Sequence, residues 1–206
     1  MPDALDPVLA AQGGVATTGQ ILDSLGRAAF ESGLASGEFA HVWTGIYARA
    51  EPDDVIRLAG LDLRAGETVA ICLETAAAAY GFDTENNDDL HILTPAGHQL
   101  RSSDGLIVHR RTGAPLSMVN GRPATEAGWT AVEVARALRR PRALATLDAA
   151  LRSGTCSRRD LLIAGAKQTG RRGIVQAREL IALATAAAES AMESEARLAM
   201  RDGGLP

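Results

Sequence analysis

The stretch SGEFAHVWTGIYARA, Ser36 to Ala50, decides how the N-terminal part of this chain is read. It holds Phe39, Trp43 and Tyr47 within nine residues of a chain that has only seven aromatics. Phe39 to Val42 predicts a strand, Thr44-Gly45 a turn, and Ile46 to Ala48 the returning strand. Three short helices are predicted before it. PVLAAQ (7–12) begins at Pro7, a favoured first-turn position, and ends at Gly13-Gly14. VATTGQILDSL (15–25) offers Thr17 or Thr18 as cap and Ile21, Leu22 and Leu25 as its apolar positions. RAAFESGLASG (27–37) carries Ala29, Phe30 and Leu34 at helical spacing and closes at Gly37. Three helices followed by a two-stranded ribbon predict a winged helix-turn-helix over residues 1–50.

Beyond the ribbon, EPDDVIRLAGLDL (51–63) and TAAAAYGF (75–82) read as helices. LHILTP (90–95) and GLIVHRR (105–111) read as strands joined by a polar turn, and Asn120-Gly121 marks another turn. From 125 the pattern is helical. Thr125 or Thr130 caps AVEVARALRR, Pro141 starts the next run, and Ser157 caps SRRDLLIAGAKQ. The expected fold class is α+β. A winged helix-turn-helix (1–50) precedes a mixed α/β domain (51–184) and a helical tail (185–206).

With 46% apolar and 22% charged residues, the chain can bury a core. No apolar run approaches the ~18 residues of a membrane span, and MPDALDPVLA lacks the basic region of a secretory signal. Cys72 and Cys156 have no metal-type spacing and fit thiols kept reduced in a cytoplasm. The net charge of −4 hides an asymmetry. Residues 1–100 set four Arg against fifteen Asp/Glu, a net −11, whereas 101–206 set seventeen Lys/Arg against ten, a net +7. Lys167 is the only lysine, and Arg with abundant Ala fits coding bias better than phosphate recognition.

No cofactor or metal motif emerges. His41, His91, His98 and His109 sit in no nucleophile context, and His91 and His109 are expected as structural neighbours on adjacent strands. TGRRG (169–173) lacks the P-loop form and reads as a helix connector. Cys156 in GTCSRRD reads as part of a turn before the helix capped by Ser157, and DTENNDD (83–89) as a surface loop.

In family order, the chain carries GGVATTGQIL, LASGEFAHVWTGIYA, LHILTP, IVHRR, VNGRPAT, AVEVARAL, ALATLDAALRSG, SRRDLL and GRRGIVQAREL. Over nearly its whole length it resembles the AbiEi-type antitoxin family of transcriptional regulators, in the form common in actinobacteria. The resemblance implies a cytoplasmic, non-catalytic protein with a winged helix that binds operator DNA. It also implies a body that opposes a nucleotidyltransferase-like toxin of a type IV system. In many relatives a Vsr-like PD-(D/E)xK endonuclease-fold domain follows. The tail AESAMESEARLAMRDGGLP (188–206) is similar to its entry helix, without the metal-binding strands, so no nuclease activity is expected. Glu193 and Arg197 are expected to form a surface ion pair.

Typical members carry arginines on the ribbon, about as in GRLVRVRRGVYA. This chain keeps Gly37, Phe39, Val42, Gly45, Ile46 and Tyr47, but has Glu38, His41, Trp43 and Thr44 at the basic positions. Candidate DNA contacts are Thr17, Thr18, Gln20, Arg27, Ser32, His41 and Thr44. Phosphate neutralisation dominates DNA affinity, so weak binding is expected there. Arg110, Arg111, Arg158, Arg159, Arg171 and Arg172 form the candidate basic surface for DNA or a partner. By the two-residue strand period, Trp43 is expected on the face opposite Val42, exposed and in need of cover from another domain or copy. Rival readings are a protein-interaction module with a degenerate winged helix, and the front part of a longer endonuclease.

Overall fold

The computed structural model describes residues 4–82, 88–94, 100–110 and 113–204. Residues 83–87, His98 and Arg111, all read above, lie outside them. The described chain is α+β and divides into two compact units, Met1–Val69 and Ala70–Pro206. Among the described residues no helix is long and apolar enough to cross a membrane.

The first unit runs α1 (Asp6–Ala11), β1 (Val15–Thr17), α2 (Thr18–Leu25), α3 (Arg27–Ser36), β2 (Ala40–Trp43), β3 (Ile46–Ala48) and α4 (Asp54–Ala65). Thr17 starts α2 through a reciprocal capping box with Gln20, which satisfies two otherwise orphaned backbone donors. Gly37, in the left-handed region, closes α3. The sheet is antiparallel in the order β1-β3-β2. β1 went unread because three residues are too few for alternation to show. Phe30 packs edge-on against Phe39 and Tyr47, and Leu5, Leu9, Ala16 and Ile21 complete this core.

Trp43 is not exposed, which corrects the alternation argument. The β2–β3 register runs His41↔Tyr47 and then Trp43↔Ile46, so Val42 is an inserted residue. Such a bulge resets the side-chain alternation. Val42 and Trp43 are both buried, each 7% exposed, while His41 faces solvent. Helix α4, capped by the Asp53 carboxylate, packs on the sheet and covers the indole. Trp43 Nε1 donates to the Arg57 carbonyl at 2.8 Å, and the Arg57 guanidinium lies 5.4 Å from the ring centroid. Gly60 makes the approach possible, since a Cβ there would stand 2.8 Å from Trp43 Cδ1. The first unit therefore extends to Val69, past the expected boundary at 50.

The second unit begins with α5 (Leu73–Ala79) and four strands, β4 (Leu90–Leu93), β5 (Leu106–His109), β6 (Leu116–Val119) and β7 (Arg122–Thr125). β4 and β5 pair in parallel, Leu90↔Leu106 to Leu93↔His109, and do not form a hairpin. β6 and β7 do form one. Asn120 (φ 49°) and Gly121 (φ 77°) both take the positive φ that its tight turn demands. Ile71 bridges Ile92 on one side and Ala124 on the other, joining the two pairs.

Five helices follow: α6 (Ala127–Ala135), α7 (Arg140–Arg152), α8 (Arg158–Lys167), α9 (Ile174–Leu183) and α10 (Ala191–Asp202). Every residue of α6 is buried, and α5, α7 and α8 pack around it. A helix buried on all sides sits at the centre of a core, and its two polar residues, Thr130 and Glu133, are hydrogen-bonded there. Thr125 and Thr130 bond to each other at 2.7 Å and do not cap it; its N-cap is Glu126. α10 packs along α7, so the segment read as a separate tail is part of the second unit.

Candidate functional site

The candidate DNA contacts divide into two sets. Thr17 and Gln20 serve the capping box, and the Gln20 amide also exchanges hydrogen bonds with Gln12. Thr18 N–H donates to the Gly45 carbonyl at 2.9 Å, which pins the ribbon's turn to the start of α2. Arg27, Ser32, His41 and Thr44 are exposed. The face of α3 that holds Arg27 and Ser32 is otherwise mainly Ala28, Ala29, Glu31 and Ala35.

Cations on the first unit are few and mostly answered by carboxylates. It has four arginines. Arg27 lies 3.7 Å from Glu31, Arg49 pairs with Asp6 and Glu38, and Arg57 lies 3.0 Å from Asp54. Arg64 is exposed. Glu38 thus engages an arginine that could otherwise meet a phosphate.

The candidate basic surface of the second unit is also partly structural. The Arg158 guanidinium donates to the carbonyls of Ile181 (2.6 Å), Ala182 and Ala184, satisfying the end of α9. Arg171 bonds Glu133 at 3.0 Å and lies 5.0 Å from the Trp129 ring centroid. Arg110, Arg159 and Arg172 are exposed. The connector TGRRG owes its shape to Gly173, at φ 79°, where a Cβ would fall 2.0 Å from the Arg136 carbonyl oxygen.

Two fully buried carboxylates went unread. Glu133 accepts from Trp129 Nε1 at 3.2 Å, from Arg171, and from Arg136 at 3.4 Å. Asp148 accepts from Arg197 and from Thr185 N–H at 2.6 Å. Arg197 therefore pairs across to α7 and not with Glu193, whose carboxylate instead accepts from Glu189 N–H at 2.8 Å. In sequence, Glu133 and Asp148 sit inside apolar helical runs, and only their spacing to neighbouring apolar residues hinted at burial. His91 Nδ1 and His109 Nε2 meet at 3.0 Å with stacked rings, and Glu74 lies 3.4 Å from His91. The two rings are thus neighbours across adjacent strands, as expected.

A cavity of about 630 Å³ opens between β6, the start of α6 and α8. Tyr80, Glu126, Cys156, Asp160 and Lys167 bring titratable groups to its walls. Burial, aided by Asp160, pushes the Cys156 thiol up to about 11, so it is not a thiolate nucleophile near neutrality. Burial also raises the Tyr80 phenol, against a 2.7 Å hydrogen bond with Ser117 that lowers it. The Ser157 hydroxyl and backbone N–H, both bonded to Asp160, hold its carboxyl below the usual range. A lowered folded-state value stabilises above the ordinary carboxylate range and is lost as pH falls through that lowered value. Asp160→Asn should therefore flatten the acid limb of urea-unfolding stability, between about pH 4 and pH 2. A limb unchanged by the substitution would show that the capping charge contributes nothing.

Residues 69–183 match the family model of the AbiEi antitoxin C-terminal domain. Over 173 residues the chain is 59% identical to an uncharacterized protein of Mycobacterium tuberculosis, Rv2248 in strain H37Rv and MT2308 in strain CDC 1551. That match covers 84% of this chain and 64% of the relative, so the chain spans somewhat under two thirds of the relative's length. The fold is shared with the crystal structure of the RV2827C protein from M. tuberculosis. The TM-score is 0.57 at 17% identity, covering 95% of this chain and 80% of that one.

Proposed function

The chain belongs to the AbiEi antitoxin C-terminal domain family, and from that membership we propose that it is the non-catalytic antitoxin of a toxin–antitoxin pair. The observation that carries this reading is that the matched segment, 69–183, begins where the compact second unit begins, at Ala70, and takes in its elements from α5 to α9. The toxin it opposes is a nucleotidyltransferase-like enzyme of the type IV AbiE kind, and both act in the cytoplasm. The first unit is a winged helix-turn-helix that contacts operator DNA. The order α1-β1-α2-α3-β2-β3 supports this, with α3 in the position of the recognition helix. Arg27, Ser32, His41 and Thr44 are its remaining exposed polar contacts.

The paired arginines of the first unit favour a second reading, in which that unit chiefly binds protein. Salt dependence separates the two. The slope of log K against log salt is about −0.9 per neutralised phosphate. With so few available cations, binding to the upstream promoter should show a slope no steeper than about −3. Charge reversal of Arg110, Arg159 and Arg172 should flatten it further if the second unit shares in DNA contact. A slope of about −6 or steeper that persists in the triple variant would place a full phosphate-binding face on the first unit. Rescue of growth when the chain is co-expressed with a neighbouring nucleotidyltransferase tests the antitoxin role itself.

A further inference from the structure

β6 lines the cavity of the second unit through Ser117, Met118 and Val119, and among the described residues no strand other than β7 pairs with it. Ile71 N–H donates to the Pro123 carbonyl at 2.9 Å, and Thr125 N–H donates to the Ile71 carbonyl at 3.0 Å. Residues 123 and 125 of β7 therefore turn their backbone groups toward residue 71. Residues 122 and 124 turn theirs toward β6, opposite Val119 and Ser117, and Glu126 N–H continues this ladder to the Pro115 carbonyl at 2.9 Å. The antiparallel pattern alternates, so the N–H and C=O groups of Leu116 and Met118 point away from β7, along the outer edge of the sheet. Natural proteins guard such edges with charge, proline or a covering element. β6 reads Leu-Ser-Met-Val, and its Leu116 and Met118 side chains are 51% and 64% exposed.

The other wall is α8. Its Ile163 is 43% exposed on the rim and Ala164 lines the cavity, with Ala127 to Trp129 as the remaining lining from α6. The charge is one-sided: Glu126 and Asp160 on the walls against Lys167 alone. A volume of about 630 Å³ lies within the range of sites that hold a ligand.

We propose that β6 and α8 are the walls of a peptide groove. In it an extended segment of a partner protein adds as a strand to β6, lays an apolar side chain between Met118 and Ile163, and sets a lysine or arginine beside Glu126 and Asp160. Main-chain hydrogen bonds to Leu116 and Met118 supply affinity, and the alternating pockets supply specificity. Charge decides against a second copy as occupant, because another β6 brings no cation to meet the two carboxylates. The inference stands apart from both the DNA and the antitoxin readings, since it concerns only this groove.

The probe is a phage-displayed library of random octapeptides, panned on the purified chain. Enriched peptides should alternate apolar residues with a lysine or arginine. Their synthetic, fluorescein-labelled forms should bind about tenfold more weakly to Met118→Pro, which deletes an outward N–H without touching the β6–β7 ladder. Glu126→Lys should weaken the basic peptides similarly, and both variants should melt as the parent does. No enrichment, or peptides that bind both variants as tightly as the parent, would overturn the proposal. A stable dimer in sedimentation that Met118→Pro dissociates would overturn it too, because the edge would then belong to a second copy.

Discussion

Trp43→Arg is expected to unfold the first unit well below the temperature at which the parent melts. The family resemblance puts a basic residue at this position, and by itself it would have the substitution strengthen DNA binding. The buried indole reverses that expectation. Trp43 packs beneath α4, bonded to the Arg57 carbonyl and seated over Gly60. Truncating a buried tryptophan costs about 3–5 kcal/mol, and arginine adds an unpaired charge beside Arg57. For a unit of this size each kcal/mol moves the midpoint by about 4–8 °C. The first unit should therefore melt roughly 12–40 °C lower, read by far-ultraviolet circular dichroism. Trp43→Phe should lose less, because an aromatic ring stays beneath α4 while the hydrogen bond and part of the indole's packing are lost. An unchanged midpoint in Trp43→Arg, with tighter promoter binding, would show that the ring is not part of the core.

The second large effect is expected from Asp148→Ala. This carboxylate is fully buried on α7 and ties two segments to it, Arg197 of α10 and the backbone at Thr185. Arg197 is 35% exposed and keeps its bond to the Leu183 carbonyl, so the loss comes mainly from the charge-assisted bond and from Thr185 N–H losing its acceptor, about 2–3 kcal/mol. The cost should appear as a lower urea midpoint for the second unit and as faster proteolysis after Leu183, where α10 is released. Asp148→Asn retains an acceptor for Thr185 N–H and should recover part of the loss. Equal stability of the parent and Asp148→Ala, with α10 still protected, would mean that apolar packing alone holds that helix.

Much of the local structure was legible because local chemistry produces it. Ser157 and Thr17 cap helices as short polar side chains before apolar runs do. Asn120-Gly121 makes a hairpin turn because both residues accept positive φ cheaply. The candidate sites were less legible. Arg158 and Arg171 look like free cations in SRRD and TGRRG, yet α9 carbonyls and Glu133 engage them. Nothing in a run of arginines distinguishes one that meets solvent from one that ends a helix. The groove beside β6 had no sequence signal, because an edge strand is defined by which neighbour is missing.

Caps, turns and apolar periodicity act within a few residues, so the first five helices, the strands β2 to β5, the α+β class and the family resemblance could be read from the chain alone. Contacts between distant parts of the chain settled the rest. They moved α4 into the first unit, paired β4 with β5 in parallel, and joined α10 to α7. Above all they turned Trp43 inward, because one inserted residue at Val42 resets the two-residue period and α4 offers a glycine to receive the ring. Each of these outcomes depends on residues far apart in the chain competing to bury apolar surface, and that competition is settled by packing in three dimensions.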